Sequence, residues 1–161
     1  MMMDIKEEFD LFDILEERIA DLEKKGSFGY GMYGTEVHYS GYTFPELLKM
    51  LSEGTDHIPP RPVLSIALDF NPLSKSPLKR RLNSYLNLSS PRSIKDVSMV
   101  TAKWYADTAK GIFGDTTKLE SNSKYTQRLK QKAGVSPQNN PLIWTGELKA
   151  HMQYRYGGVI K

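Results

Sequence analysis

The segment SIKDVSMVTAKWYADTAKGIFG, from Ser93 to Gly114, repeats its core-forming residues every three or four positions. This spacing is typical of an amphipathic helix, because an α-helix completes a turn about every 3.6 residues. Ser93 with Asp96 three positions later resembles a capping box, and Gly114 marks the other end. The sequence therefore predicts a long helix here. Its stripe toward the core is expected to consist of Ile94, Val97, Thr101, Trp104, Thr108 and Ile112.

Segments on both sides of this helix carry helical patterns of their own. Capping residues support two of them, since Thr43 with Glu46 resembles a capping box and Ser76 with Pro77 resembles a helix start. The segment Val63–Phe70 is apolar enough to be a buried helix or strand, and helix is favoured. The predicted helices are Asp4–Lys25 ended by Gly26, a short helix from Thr43 closed by Gly54, Val63–Phe70, a helix from Ser76 with Leu78, Leu82 and Leu86 on one face, and Thr145–Ala150.

Two short segments, Thr35–Tyr39 and Met152–Tyr156, have the alternating, β-forming character of strands. Together with the helices they predict an α+β fold: a small mixed domain with an N-terminal amphipathic helix, several central helices and a small antiparallel sheet including the C-terminal strand. A chain of 161 residues is expected to form a single domain. Its predicted parts are an acidic helix at 1–26, a strand and helical core at 27–114 with a proline loop at 54–62, a polar, basic, extended and poorly packed segment at 115–140, and a threonine-glycine motif with the C-terminal strand at 141–161.

Composition limits the class of protein. The chain has 39% hydrophobic and 25% charged residues, as globular proteins do, and lacks both a membrane-spanning run and a signal-peptide pattern. A soluble protein without membrane contact is therefore expected. Without cysteine there is no disulfide framework and no thiolate chemistry. Residues 1–26 hold nine acidic and four basic residues, a net charge of −5, which leaves +8 on the rest of a chain whose net charge is +3.

No catalytic or cofactor-binding pattern stands out. Neither a nucleophile elbow nor a phosphate-binding loop is found, and paired carboxylates such as Glu16 and Glu17 fall on the solvent face of the first helix. Gly29, Gly31 and Gly34 have dinucleotide-loop spacing, but they follow a charged helix instead of a buried strand. Metal-ligand spacing is missing around all three histidines: His38, His57 and His151. The sequence thus predicts no enzyme, no catalytic residue, no metal and no cofactor.

Two segments resemble the signatures of a known family. Gly54–Leu64, GTDHIPPRPVL, resembles the glycine-threonine and proline-arginine-proline signature of the tail-completion and neck proteins of tailed bacteriophages. Pro141–Tyr156, which begins PLIWTGELK, is similar to the second signature of that family, and the two follow each other in the family's order. Trp144 stands where the family usually has aspartate, and Ala150 and His151 replace its usual serine and isoleucine.

The resemblance, over residues 37–156, implies a structural virion protein that completes the tail or joins head to tail at the neck. It implies a homo-oligomeric ring of about six or twelve copies, assembled in the host cytoplasm beside adjacent neck, connector and tail-tube proteins. Genomic DNA is expected to pass through the ring without sequence-specific binding. A tail terminator of the same assembly is an alternative. The residues expected at the partner interface are Gly54, Thr55, Ile58, Pro59, Pro60, Arg61, Pro62, Thr145, Gly146, Glu147 and Leu148.

The residues themselves leave alternatives open. The prolines either present a stiff docking loop or only stop a helix and position a core segment. Thr145 and Glu147 can cap a helix, Gly146 can allow close backbone approach, and Leu148 can anchor the turn. A basic nucleic-acid-binding module is the alternative function from another class. In a head-to-tail ring, we expect the acidic first helix to attract the basic body of the next subunit.

Overall fold

A computed structural model describes residues 5–23, 28–88 and 93–157. Its elements are α1 Ile5–Glu23, β1 Phe28–Gly31, α2 Phe44–Glu53, α3 Val63–Phe70, a 3₁₀ turn at Leu73–Lys75, α4 Leu78–Leu86, α5 Ile94–Ile112, α6 Lys124–Lys132, α7 Glu147–Ala150 and β2 Gln153–Tyr156. The predicted α+β fold is confirmed, including the small antiparallel sheet that contains the C-terminal strand. The predicted end of the first helix at Gly26 lies outside the described residues.

Helix α5 lies at the centre of the fold and contacts β1, β2, α3 and α4. Its buried positions include three fully enclosed alanines, Ala102, Ala106 and Ala109. Small side chains let neighbouring backbones pack closely. Helix α3, which packs against α5, contributes Val63 and Ala67, and both are also fully buried. The capped helix predicted from Ser93 is therefore the element around which the core assembles.

The sheet forms from a different N-terminal segment than the sequence predicts. Strands β1 and β2 pair antiparallel over their full length. The predicted strand Thr35–Tyr39 is wrong, because that segment turns back on itself with one bridge between Val37 and Thr43. Packing selects β1 despite its two glycines, since its Tyr30 ring stacks on Tyr105 of α5 with centroids 5.1 Å apart.

Two predicted core positions are shifted by one residue. On α5, Trp104 is only partly buried, whereas its neighbour Tyr105 is 1% exposed. On α4, Leu86 is 37% exposed and Tyr85 is 1% exposed. One residue corresponds to about 100° around a helix. The shift arises because both helices are covered from more than one side, α5 by the sheet as well as by α3, and α4 by α1 as well as by α5.

The buried hydroxyls of Tyr85 and Tyr105 predict opposite mutational effects. The Tyr85 hydroxyl donates to the Asp21 carboxylate at 2.9 Å, whereas the Tyr105 hydroxyl has no hydrogen-bond partner in the described residues. Tyr85→Phe should lower the free energy of unfolding by about 1.5 kcal/mol, because it removes a charge-assisted bond. Tyr105→Phe should raise it by about 1 kcal/mol, because an unsatisfied buried hydroxyl is destabilising. Urea denaturation measures both values, and changes of the same sign would contradict the assignment.

Segment 115–140 is better packed than the sequence predicts. It contains α6, and Leu119 and Asn122 are only 4% and 6% exposed. The Asn122 amide donates to the carbonyl oxygens of Gln138 and Asn140, both at 2.9 Å. The prediction of an extended, poorly packed segment is wrong because it rested on scarce apolar anchors. The segment instead buries polar side chains that bind backbone carbonyls.

Asp115 begins this segment and predicts a pH dependence of stability. Its carboxylate pairs with Lys118 and accepts hydrogen bonds from Thr117, and these contacts lower its pKa from 3.8 to about 2. Because the folded-state pKa is the lower one, the ionised carboxylate stabilises the fold fully above pH 3.8. That contribution is lost as the pH falls toward about 2. Urea titrations at a series of pH values measure the stability of wild type and of Asp115→Asn. The difference between the two should shrink over this pH range, and a constant difference would contradict the prediction.

Candidate functional site

The two motifs found in the sequence meet in one groove. Ile58 and Arg61 of the proline loop and Thr145, Gly146 and Leu148 of the threonine-glycine motif line the same cavity, although more than 80 positions separate them in sequence. The cavity volume is about 330 Å³. Its other lining residues are His38, Tyr39, Ser40, Leu47, Leu51, Asn122, Thr126, Lys130, Leu142, Ile143 and Trp144. We call this cavity the motif groove.

The proline loop is a tight turn that follows α2. Gly54 ends that helix with φ 75° and ψ −177°, and a Cβ at this position would lie 2.8 Å from both the carbonyl oxygen of Ile58 and the nitrogen of Pro60. The Thr55 N–H donates to the Ile58 carbonyl at 2.8 Å, and the Thr55 hydroxyl accepts from the Ile58 N–H at 3.1 Å. Backbone contacts and prolines therefore fix the shape of the loop before any partner binds.

Arg61, expected at the partner interface, points into the protein. It is 7% exposed, and its Nε and Nη2 donate to the carbonyl oxygens of Glu120 and Ser121 at 3.1 and 3.3 Å. Burial lowers the pKa of Arg61, and the Glu120 carboxylate acts in the opposite direction. A guanidinium can satisfy two carbonyls at once, so Arg61 connects the proline loop to the segment before α6. Only a small part of the side chain is therefore left to face the motif groove, which it lines.

Lys130 places a second buried cation near Arg61. It is 2% exposed, and its ammonium donates to the carbonyl oxygen of Asn140 at 2.6 Å and to that of Ile143. Within the described residues no carboxylate forms an ion pair with it. Burial lowers the pKa of Lys130, and repulsion from the Arg61 guanidinium lowers it further. Backbone carbonyls therefore solvate both cations at the floor of the motif groove, and of the two only Arg61 has a carboxylate, that of Glu120, acting on it within the described residues.

The threonine-glycine motif builds the start of α7. The Thr145 hydroxyl accepts from the N–H of Glu147 at 3.3 Å, a turn contact between residues two positions apart. The N-cap of α7 is Gly146, which has no side-chain cap, so the prediction that Thr145 caps this helix is wrong. Gly146 has a φ of 88°, a conformation that favours glycine. The close backbone approach expected at Gly146 is wrong, since no atom lies within 4 Å of a Cβ built there. Leu148 is 8% exposed and anchors the turn in the core as predicted.

Two histidines join the loop after β1 to α7. The ring of His151 stacks on Phe44 with centroids 3.5 Å apart, and its Nε2 lies 3.2 Å from the Glu36 carboxylate. Nε2 of His38 lies 3.7 Å from the Glu147 carboxylate. Over the described ranges, no three His, Asp or Glu side chains converge closely enough to hold a metal ion. The sequence did not predict these pairs, because each histidine and its glutamate lie more than 100 positions apart in the chain.

Ser40 and His38 form a contact at the groove that resembles part of a hydrolase triad. Nδ1 of His38 lies 2.8 Å from the Ser40 hydroxyl and accepts from the Ser40 N–H at 3.2 Å. Both bonds join residues two positions apart in an exposed turn, as turn-stabilising side chains do. The third candidate, Glu147, is 3.7 Å away, beyond hydrogen-bond distance. The geometry therefore favours a turn contact over an activated nucleophile.

Exposure divides the residues predicted to form the partner interface. Thr55, Pro60, Thr145 and Glu147 are exposed, Gly54, Ile58, Pro59, Pro62 and Gly146 are partly buried, and Arg61 and Leu148 are buried. The structure adds two large aromatic residues to the groove, Tyr39 at 72% and Trp144 at 39% exposure. Exposed aromatics of this kind often anchor protein contacts. Only weak signals in the sequence indicated that these two residues lie at a contact surface. Trp144 was noted only because it replaces an aspartate of the resembled signature, and Tyr39 only because it lies in a glycine-rich segment.

Comparison with protein-family models, with characterised proteins and with solved structures finds no match to this chain. None of the helices in ranges 5–23, 28–88 and 93–157 is long and apolar enough to cross a membrane. What the chain can do follows from the residues of the motif groove and the surfaces around it.

Proposed function

We propose that this chain is a non-enzymatic structural subunit of a tailed-phage particle, which completes the tail or joins head to tail at the neck as part of a ring. The observation that supports the proposal is the motif groove. The two segments that resemble the family's signatures line one cavity, although the helices α3 to α6 separate them in sequence. Their convergence indicates that both motifs serve the same surface.

The motif groove suits docking of a protein segment better than it suits a reaction. Most of its walls are apolar, through Leu47, Leu51, Ile58, Leu142, Ile143 and Leu148. Its volume of about 330 Å³ is at the small end of the roughly 300–1,000 Å³ found for small-molecule sites. A preformed loop beside it loses little conformational entropy on binding. These properties fit one or two side chains of a partner that enter a rigid surface.

The proposed partners are other copies of the chain, in a ring of about six or twelve, and the adjacent neck, connector and tail-tube proteins. Genomic DNA would pass through the ring without sequence-specific binding. The charge of +8 beyond residue 26 suits a surface that lies near DNA. A tail terminator of the same neck assembly would use the same ring and groove, and is the alternative within this proposal.

Imaging of the purified protein and of particles tests the proposal. Negative-stain images of nuclease-treated protein should show closed rings of uniform size, whereas a monomer at every concentration would overturn the ring. Immunogold labelling of virions should mark the head–tail junction. Label on the capsid faces or at the distal tail tip would overturn the location, and label at the upper end of headless tails would select the terminator.

An esterase assay tests whether the protein lacks catalytic activity. With p-nitrophenyl acetate as the probe, wild-type protein, Ser40→Ala and a matched exposed variant, Ser74→Ala, should all hydrolyse it no faster than buffer alone. Turnover that is present in wild type and Ser74→Ala but lost in Ser40→Ala would show that the Ser40–His38 contact is a nucleophile pair. That result would overturn the non-enzymatic proposal.

A nucleic-acid-binding module is the second candidate, and two polar clefts favour it. Lys79 and Arg80 of α4 line one, and Lys124 and Arg128 of α6 line the other. Binding of labelled DNA, followed by anisotropy, should then fall by orders of magnitude between dilute and moderate salt. Rings that form without nucleic acid, together with weak DNA binding at moderate salt, would favour the connector.

A further inference from the structure

Helix α1 is attached to the rest of the chain along one face. The Asp21 carboxylate accepts hydrogen bonds from the Tyr85 hydroxyl at 2.9 Å and from the Ile94 N–H at 3.2 Å. Arg18 donates to the Tyr85 carbonyl, and its guanidinium lies 4.6 Å from the Tyr85 ring centroid. These contacts fix Arg18 and Asp21 at the N-terminal end of α5.

A second face of α1 makes no contact given for the described residues, and it combines apolar and acidic character. Ile19 is 53% exposed, and it lies about 100° around the helix from Arg18. Glu16 and Glu23, three positions before and four after Ile19, fall on the same side of the helix and are exposed. This Ile19 face, defined by Glu16, Ile19 and Glu23, offers one apolar side chain between two carboxylates.

The motif groove has the complementary character. Its walls are apolar and its floor holds Lys130, whose ammonium binds two carbonyls. An ammonium has three N–H donors, and within the described residues the third has no acceptor. An apolar side chain next to a carboxylate would fill the groove and neutralise a buried cation, which removes a cost of burying it.

The same copy cannot supply this occupant. Ile19 lies beside Arg18 and Asp21, at the end of α5 that begins with Ile94. The groove lies beyond the other end of α5, where a Cβ on Gly114 would be 3.2 Å from the Ile143 side chain. The 19 residues of α5 separate the two ends by roughly 27 Å. A groove and an occupant at opposite ends of one subunit produce a head-to-tail contact.

We propose that the Ile19 face of one copy docks into the motif groove of the next, with Ile19 against the apolar walls and a carboxylate of Glu16 or Glu23 on Lys130. This contact rests on the proposed ring and names the surfaces that close it. Each copy then offers one groove and one helix face, so a closed ring leaves neither unpaired.

Cysteine cross-linking tests the contact directly, because the chain has no cysteine of its own. Two proteins with one cysteine each, Ile19→Cys and Ile58→Cys, are mixed and oxidised. The expected product is a disulfide-linked heterodimer. Ile14→Cys is the matched control, since it is exposed on another face of the same helix, and it should not cross-link to Ile58→Cys. Equal cross-linking by both helix positions would overturn the assigned face.

Charge reversal supplies an independent measurement in solution. Glu16→Lys with Glu23→Lys should weaken self-association by about tenfold or more, because it places positive charge beside Lys130. The control, Asp13→Lys with Glu17→Lys, changes the net charge equally on the opposite side of α1 and should have little effect. Sedimentation analysis measures both. Two results would overturn this contact and leave the ring proposal intact. One is a ring that forms equally well with Glu16→Lys and Glu23→Lys; the other is a ring in which Ile58→Cys still reacts freely with a thiol reagent. Wild-type protein that stays monomeric would overturn both.

Discussion

Alanine at Gly54 should lower the free energy of unfolding by about 4 kcal/mol, the largest effect expected of any single glycine in the motifs. Two causes add. The backbone at Gly54, φ 75° and ψ −177°, is a region that residues with a Cβ rarely adopt. The new Cβ would also lie 2.8 Å from the Ile58 carbonyl oxygen and the Pro60 nitrogen, which are backbone atoms of a turn that prolines hold rigid. Urea denaturation of Gly54→Ala measures the loss.

Gly146→Ala is the matched control for this prediction. Gly146 also has a positive φ, 88°, but no atom lies within 4 Å of a Cβ built on it. Only the left-handed backbone is then unfavourable, which lowers stability by about 1 kcal/mol. Similar losses in the two variants would show that the proline loop yields easily and that its shape is not fixed in advance. A large loss at Gly54 alone would support a preformed docking loop.

Apart from α6, the helices were predictable from the sequence because their signals are local. Thr43 and Glu46 form the capping box that their spacing predicts: the Thr43 N–H donates to the Glu46 carboxylate at 2.9 Å, and the Thr43 hydroxyl accepts from the Glu46 N–H at 3.4 Å. The Ser93 hydroxyl caps α5 by accepting from the Asp96 N–H at 3.2 Å, which is one of the two bonds of a capping box. Such caps involve residues only three positions apart, so the local sequence contains both partners.

The sheet and the packing of segment 115–140 were not predictable in the same way. Thr35–Tyr39 has better strand composition than Phe28–Gly31, yet it is Phe28–Gly31 that pairs with β2 and contacts α5. Pairing between the two ends of the chain decided the strand, and no local pattern contains that information. Lys130 and Asn122 look like surface residues in sequence, and only the carbonyls that they bind explain their burial.

The candidate site was predicted in its parts but not in its arrangement. Both motifs were identified, and Leu148 anchors its turn in the core as expected, whereas Thr145 does not cap α7. Their meeting in one groove, the cations on its floor and the aromatic residues at its edge depend on contacts between distant segments. Arg61 shows the limit most clearly, because a proline-flanked arginine in sequence gives no sign that it points inward.

Arg61→Ala should lower the free energy of unfolding by about 3 kcal/mol and should also disturb the motif groove. The variant leaves the carbonyls of Glu120 and Ser121 without the guanidinium that binds them. Because these residues precede α6, the loss should also raise hydrogen exchange at residues 119–123. Urea denaturation and hydrogen exchange by mass spectrometry measure the two effects. Arg80→Ala, an exposed arginine on α4, is the control and should change stability by less than about 0.5 kcal/mol.

Arg61→Lys separates the charge of this side chain from its geometry. Lysine keeps the positive charge but lacks the planar fork that reaches two carbonyls at once. If geometry matters, Arg61→Lys should lose about 2 kcal/mol, most of the effect of alanine, and exchange at 119–123 should rise with it. If lysine instead matched wild type in both measurements, the positive charge alone would hold the segment before α6. In that case the proline loop would not position the groove through Arg61, and its prolines would only end α2 and place α3.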